Sequence, residues 1–380
     1  MKTYPLFCVH VPIEEALANI RVVFESGFIN EGTQVTQLTE AMRDKLGAQN
    51  LLLTNSCTSA LTLALHLAGI DSNSEVITTP MTCVATNTPI VASGAKLVWA
   101  DVNPESGMLT VETIKAKLTY NTKAVMIVAW AGTPPDLSGI LNFCRERDIK
   151  LILDAAHAFG ALYEGVPIHQ WADFTCYSFQ AIKHITTGDG GALVCDDDEA
   201  FVRAKALKWF GIDRDRAKDS RGDWKGQQWD VDIEETGYKF NMNNVSAAIG
   251  LSQLAYVDKI VDAHYNNATL YDIMFKDCDL VYHAARPVGS TSAFWVYTAL
   301  LSPGTISRDE LLHRLNAEGI MAGVVHVPND DYAAFDSFRA DLPGVRSFSQ
   351  RQFSLPCGWW LSDHDIMHIA SRVKELVSIK

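Results

Sequence analysis

The sequence holds no Cys-x-x-Cys pair. Its eight cysteines, Cys8, Cys57, Cys83, Cys144, Cys176, Cys195, Cys278 and Cys357, are scattered through apolar runs. A zinc site or a disulfide framework needs closer clustering, so they read as small hydrophobic side chains in a reducing compartment. Apolar runs of membrane-spanning length are missing, and Met1-Lys2-Thr3-Tyr4-Pro5 opens no apolar signal core. The expectation is a cytoplasmic protein with no membrane partner. A G-x-G-x-x-G turn between an early strand and helix is also missing, which removes the usual nicotinamide-dinucleotide seat. Positive charge is in deficit: 32 Lys and Arg against 45 Asp and Glu leave a net charge of −13. That field repels nucleic acid and anionic lipid, and no basic helix–turn–helix offsets it. A local anion seat built from backbone N–H groups is still compatible with it.

What is present fits a globular α/β protein. The 380 residues exceed one small core. Apolar β-branched runs at Glu75–Thr79, Ala124–Trp130, Lys150–Asp154, Phe174–Phe179 and Gly191–Cys195 read as buried strands, and Thr58–Leu67 and Asp136–Arg147 as helices between them. Strands apolar on both faces and spaced by helices predict a mostly parallel sheet covered on both sides. Asp213 to Asp232 has no apolar period and reads as a long functional loop. From about residue 260 the pattern turns α+β, with a strand at Phe294–Leu301 and helices at Ser307–Glu318 and Asp363–Ile379. The expected division is a large domain over 1–255 and a smaller α+β domain over 256–380.

The chemistry concentrates between Leu151 and Gly191. Asp154 ends a strand, where open α/β sheets bind ligands and where a buried carboxylate needs a cationic or hydrogen-bonding partner. Lys183 follows the next strand and precedes Thr186-Thr187-Gly188-Asp189-Gly190-Gly191. The pair suits pyridoxal 5'-phosphate (PLP): the carboxylate keeps the pyridine nitrogen protonated, and the lysine forms the Schiff base and then shuttles a proton. Taken singly, Asp154 reads more readily as a helix cap or loop charge and Lys183 as an exposed lysine. Thr54-Asn55-Ser56-Cys57-Thr58-Ser59 opens a helix after the strand Leu51–Leu53 and reads as an anion seat or as simple capping. His157, three residues beyond Asp154, falls over the same site or is a satisfied structural histidine.

Asp154-Ala155-Ala156-His157-Ala158, Ser178-Phe179 and Lys183-His184-Ile185-Thr186-Thr187-Gly188-Asp189-Gly190-Gly191 resemble the DegT–StrS group of fold-type I PLP sugar aminotransferases. Ser26–Gly32, Trp130–Asp136, Gly237–Met242 and Ala247–Leu254 resemble its other motifs, so that the likeness runs through nearly the whole chain. The resemblance implies a large domain with a mostly parallel mixed sheet flanked by helices. It implies Lys183 as the Schiff-base lysine, Asp154 as the pyridinium partner and His157 beside the ring's phenolic oxygen. Ser178 and the backbone at Thr58 and Ser59 would hold the phosphate. Three positions depart from the family. Cys83 stands where an aromatic ring usually packs on the cofactor. Lys239 stands for an Asn and could reach the phosphate from a partner subunit, and Asn241 stands for an Arg near the substrate. The small residues Ala247-Ala248-Ile249-Gly250-Leu251 suit packing against that partner.

The implied activity is transfer of an amino group, with glutamate as donor, to a nucleotide-linked 4-keto-6-deoxy sugar in a homodimer with shared active sites. Its implied product would serve surface polysaccharide such as lipopolysaccharide. A 3-keto substrate, a sugar dehydratase and a PLP-binding regulator without turnover remain as alternatives. The dehydratases of the group carry histidine in place of the reactive lysine, whereas this chain keeps Lys183 with His184 beside it. A cysteine desulfurase would need a nucleophilic thiol on a mobile loop, and Cys357, in a Leu-Pro-Cys-Gly stretch, reads as packing.

Overall fold

The computed structural model describes residues 2–213 and 232–378. The expected functional loop therefore falls almost wholly outside the described residues. Among them, the larger sheet has seven strands in the spatial order Leu51–Thr54, Gly191–Cys195, Phe174–Ser178, Lys150–Asp154, Thr122–Val128, Glu75–Thr78, Lys96–Trp99. Gly191–Cys195 alone runs antiparallel to its neighbours; all other pairings are parallel. Its five residues are all buried, as are all four of Leu51–Thr54. Burial on both faces explains why these strands read as continuous apolar runs rather than as alternation.

Helices cover the sheet. Cys57–Leu67 is capped by Ser56, whose side chain accepts from the Ser59 N–H, and Leu137–Arg145 is capped by Asp136, which accepts from the Gly139 N–H. Asn244–Gln253 packs against Ile13–Ser26 and Thr33–Leu46 of its own chain, with Ala247 and Ala248 fully buried. A side chain at Gly250 would collide with Leu38 and Thr187. The small residues expected to meet a partner thus serve close packing inside the chain.

A second core surrounds the antiparallel strands Val281–His283, Tyr297–Leu301 and Gln352–Leu355. The helices Val257–Phe275, Arg308–Ala317 and Asp363–Ser378 supply most of its remaining apolar side chains. Tyr4 joins this core, whereas Phe335, Val345 and Phe348 pack into the larger one. Among the described residues, no helix is long and apolar enough to cross a membrane.

Two expected strands are cut short, one at its end and one at its start. Thr122–Val128 stops before a tight turn at Trp130–Gly132, in which Ala131 has φ 53°. The strand expected from Phe294 begins only at Tyr297, because Phe294 is left-handed at φ 45°. Both interruptions lie beside the candidate site.

Candidate active site

The parallel strands point their carboxyl ends to one edge of the sheet, and a cavity of about 310 Å³ opens there. That volume lies at the lower end of the small-molecule range, and the position is where α/β sheets place ligands. Several strands hand over a segment of wall. Ser56, Cys57 and Thr58 follow the first strand, and Thr82 and Cys83 follow Glu75–Thr78. Asp154 and His157 come from Lys150–Asp154 and the turn after it, and Ser178, Gln180 and Lys183 from Phe174–Ser178 and its loop. Gly191 allows the antiparallel strand to lie against this edge: a Cβ there would sit 2.5 Å from the Cys57 backbone nitrogen.

Asp154 is buried at the floor. One oxygen accepts the Thr86 hydroxyl at 2.7 Å, and the other accepts the Ala156 N–H at 3.0 Å. Burial raises its pKa, while Thr86, Ala156 and the charge of Lys183 pull it down. A protonated ring nitrogen beside it would add the missing compensation for a carboxylate out of water. Lys183 is part-buried, and burial lowers its pKa to about 8, against the pull of Asp154. Its Nζ lies 3.5 Å from the centroid of the Trp295 ring. An amine that is partly neutral near pH 8 is suited to attack a carbonyl and to exchange protons.

His157 is stacked on Trp295 at 4.0 Å and on His326 at 5.3 Å, with its Nε2 3.4 Å from the His326 Nε2. Burial and the Lys183 charge depress both imidazoles, His157 well below the usual histidine range and His326 to about 3, so both are neutral near pH 7. The buried His157 Nδ1 has no hydrogen-bond partner in the protein. Such an atom is costly unless a ligand satisfies it. This orphan, the cavity, the strand-end carboxylate and the lysine together fit a PLP-sized group.

The remaining expected residues divide. Thr58, Cys83 and Ser178 line the cavity. Ser59 does not: its N–H is taken by the Ser56 cap, and its hydroxyl donates to Asn55 Oδ1 at 2.6 Å. Lys239 also stands off its own chain's cavity, with Nζ 3.7 Å from the Trp209 ring centroid and 2.6 Å from Asn241 Oδ1. The Asn241 amide in turn donates to Asn30 and to the Met242 carbonyl, clamping local backbone. His184 is buried and donates through Nε2 to the Ala293 carbonyl at 2.9 Å, outside the cavity wall. Cys357 is buried against the Phe294 carbonyl, as packing predicts.

Sequence reasoning missed Thr86, Cys57, Trp295 and His326 as parts of this site. Cys57 lies in a segment already singled out, and Thr86 three residues beyond Cys83. Trp295 and His326 come from far along the chain, and no local pattern marks them.

The sequence matches the DegT/DnrJ/EryC1/StrS aminotransferase family over residues 12–374. It is 30% identical over 379 residues to UDP-4-amino-4-deoxy-L-arabinose--oxoglutarate aminotransferase of Shewanella sediminis, covering 97% of this chain and 96% of the relative. It is 28% identical to dTDP-4-dehydro-2,3,6-trideoxy-D-glucose 4-aminotransferase of Saccharopolyspora spinosa, with 97% and 96% covered. The crystal structure of the sugar aminotransferase CalS13 from Micromonospora echinospora superposes with a TM-score of 0.90 at 33% identity, covering 98% of this chain and 99% of that one.

Proposed function

The chain belongs to the DegT/DnrJ/EryC1/StrS aminotransferase family and is a PLP-dependent sugar aminotransferase, and from that premise we propose that it moves an amino group from glutamate to the C4 keto carbon of a nucleotide-linked 6-deoxy sugar. The observation that carries amination is Lys183 itself, set in one cavity with Asp154 and His157. The neighbouring His184 is turned to the Ala293 carbonyl, so it does not take the lysine's place as a dehydratase histidine would. Both relatives are named for position 4 of a nucleotide sugar, and one is named for oxoglutarate, the keto acid that glutamate leaves behind.

In this reading the bound cofactor supplies the electron sink, and the protein supplies placement and protons. Asp154 would hold the proton on the ring nitrogen. Lys183 Nζ would hold the cofactor and would serve as the acid and base for protons at the reacting carbon. His157 would meet the phenolic oxygen, and Ser178 with the helix start at Thr58 would hold the phosphate, while Ser59, whose N–H the cap takes, would not. Cys83 packs against the ring. Lys239 reaches the phosphate of a second copy's site. An apolar surface on the first helix, with Ile13 63% and Leu17 56% exposed, supports a homodimer. The division into a cofactor-binding domain over 1–255 and a smaller domain over 256–380 belongs to the same proposal, supported by the two cores.

Incubation of the enzyme and glutamate with a panel of nucleotide 3-keto and 4-keto sugars, followed by mass spectrometry and NMR of the products, tests the reading. An amine at C4 with matching release of oxoglutarate is expected. Amination only at C3, or loss of a hydroxyl without nitrogen gain, overturns it.

A further inference from the structure

Position 83 offers the cofactor pocket a thiol, and the aromatic surface of the cavity comes instead from Trp295. Trp295 is 3% exposed and tightly held. Its Nε1 donates to the Ile182 carbonyl at 2.7 Å, one residue before Lys183, which fixes indole and lysine in register. Phe7 stacks on it at 4.8 Å and His157 at 4.0 Å.

The backbone that presents it is strained. Phe294 has φ 45°, a conformation that bulky L-residues avoid. Fixed contacts hold it there. The Ala293 N–H donates to the Gly132 carbonyl at 3.0 Å, and the Phe294 N–H donates to Ser292 Oγ at 3.0 Å. His184 and His264 donate to the Ala293 and Phe294 carbonyls at 2.9 and 2.8 Å. Strain that is over-determined by its surroundings marks a functional placement, and what this turn places is an indole 3.5 Å from Lys183 Nζ.

We propose that Trp295 is a positioning residue for Lys183, holding the ε-ammonium over its indole face whenever the lysine is not bonded to the cofactor. The inference rests on Lys183 being the reactive lysine. A cation over an aromatic face is attracted by the ring quadrupole, and the attraction acts on the charged amine alone. Trp295 therefore keeps Nζ at one place in the cavity between its covalent and free states, and favours its protonated form. The other groups facing Lys183 are the Asp154 carboxylate, the thiols of Cys57 and Cys83, and the neutral imidazoles of His157, His326 and His184.

The test uses the full-length protein resolved from its cofactor. Trace labelling with acetic anhydride across pH, with mass spectrometry of the Lys183 peptide, gives the titration of that one amine. Trp295→Leu should lower the midpoint by about one pH unit, making the amine roughly tenfold more reactive at a fixed lower pH. Trp295→Phe, which retains a π face, should restore most of the shift. Fluorinated tryptophan incorporated biosynthetically weakens the quadrupole at nearly unchanged shape, so it should lower the midpoint even if the leucine variant does not fold. Unchanged titration with fluorinated tryptophan, or a midpoint raised by Trp295→Leu, overturns the inference. Borohydride fixation of the cofactor, run in parallel, separates the two claims. Cofactor on another lysine overturns the Lys183 reading itself, whereas cofactor on Lys183 with an unmoved titration overturns only the role of Trp295.

Discussion

At the scale of single residues, the site depends on charges held where water cannot screen them. Asp154 sits at the end of a buried strand with two hydrogen bonds, from Thr86 and Ala156, and burial still raises its pKa. Its carboxylate becomes fully compensated only when a cation meets it. Asp154→Asn keeps the shape and removes the charge that would hold the ring proton. The expected outcome is a fall in kcat of at least ~10², the scale of a preorganised electrostatic contact. The folded state should survive, because an amide oxygen can still accept from Thr86. Steady-state kinetics with a keto sugar and glutamate, beside a thermal melt of the same preparation, measures both. A near-normal kcat would reduce Asp154 to a structural role.

At the scale of elements, two turns that interrupt the regular pattern bring distant parts of the site together. Gly132 has φ 100°, and a Cβ there would lie 2.7 Å from the Phe294 nitrogen and 2.9 Å from the His157 carbonyl. Only glycine lets the Trp130–Gly132 turn, the His157 turn and the strained Phe294 converge. Gly132→Ala should therefore destabilise the protein by about 2 kcal/mol or more, from left-handed strain plus backbone collision. It should also weaken cofactor binding by loosening His157 and Trp295. Urea midpoints and a cofactor titration follow the two effects. A variant as stable as the parent would show that the turn can relax without loss.

At the scale of the whole molecule, buried neutral histidines set the acid limit. Burial holds His157 and His184 well below their usual range, His264 at about 4 and His326 at about 3. Their folded pKa values lie below the unfolded value near 6.5, so as pH falls the unfolded chain binds protons that the folded chain cannot. Each histidine then removes about 1.4 kcal/mol of stability per pH unit below 6.5, until its folded pKa is reached. Asp154 and Asp330 work the other way, because their raised pKa values let the folded chain take a proton first, but they stand against these four histidines and His169, which burial also lowers. The cofactor-free protein should lose stability steeply between pH 6.5 and about 4. Urea unfolding at several pH values checks the slope, and a flat profile would mean that water reaches these rings. Subunit cooperation belongs to the same scale. If Lys239 completes a neighbour's site, mixing Lys239→Ala with Lys183→Ala subunits forms hybrids in which one of two sites is intact. Activity should then exceed that of either parent once exchange is established; failure to do so assigns Lys239 to its own chain, where it lies over Trp209.

The sequence alone determined the sheet class and the meeting of Asp154 and Lys183 in one cavity, because both are local properties. Burial on both faces writes itself as continuous apolar runs, and the carboxylate and lysine fall at the ends of adjacent parallel strands within one stretch. Hydroxyl residues after Leu51–Thr54 foretold the helix cap, but only the structure showed that the cap consumes the Ser59 N–H and leaves Thr58 at the wall. The small-residue helix Asn244–Gln253 read as an interface, and the fold buries it against the first two helices instead. Periodicity reports that a face is buried and is silent about what covers it. Trp295 and His326 illustrate the same limit. They enter the cavity from beyond residue 290, Trp295 by way of a left-handed Phe294 in a run whose composition reads as plain strand. That bend is fixed by hydrogen bonds from His184 and His264 and by one to the Gly132 carbonyl, residues remote in the chain, so only the closed tertiary structure could decide it.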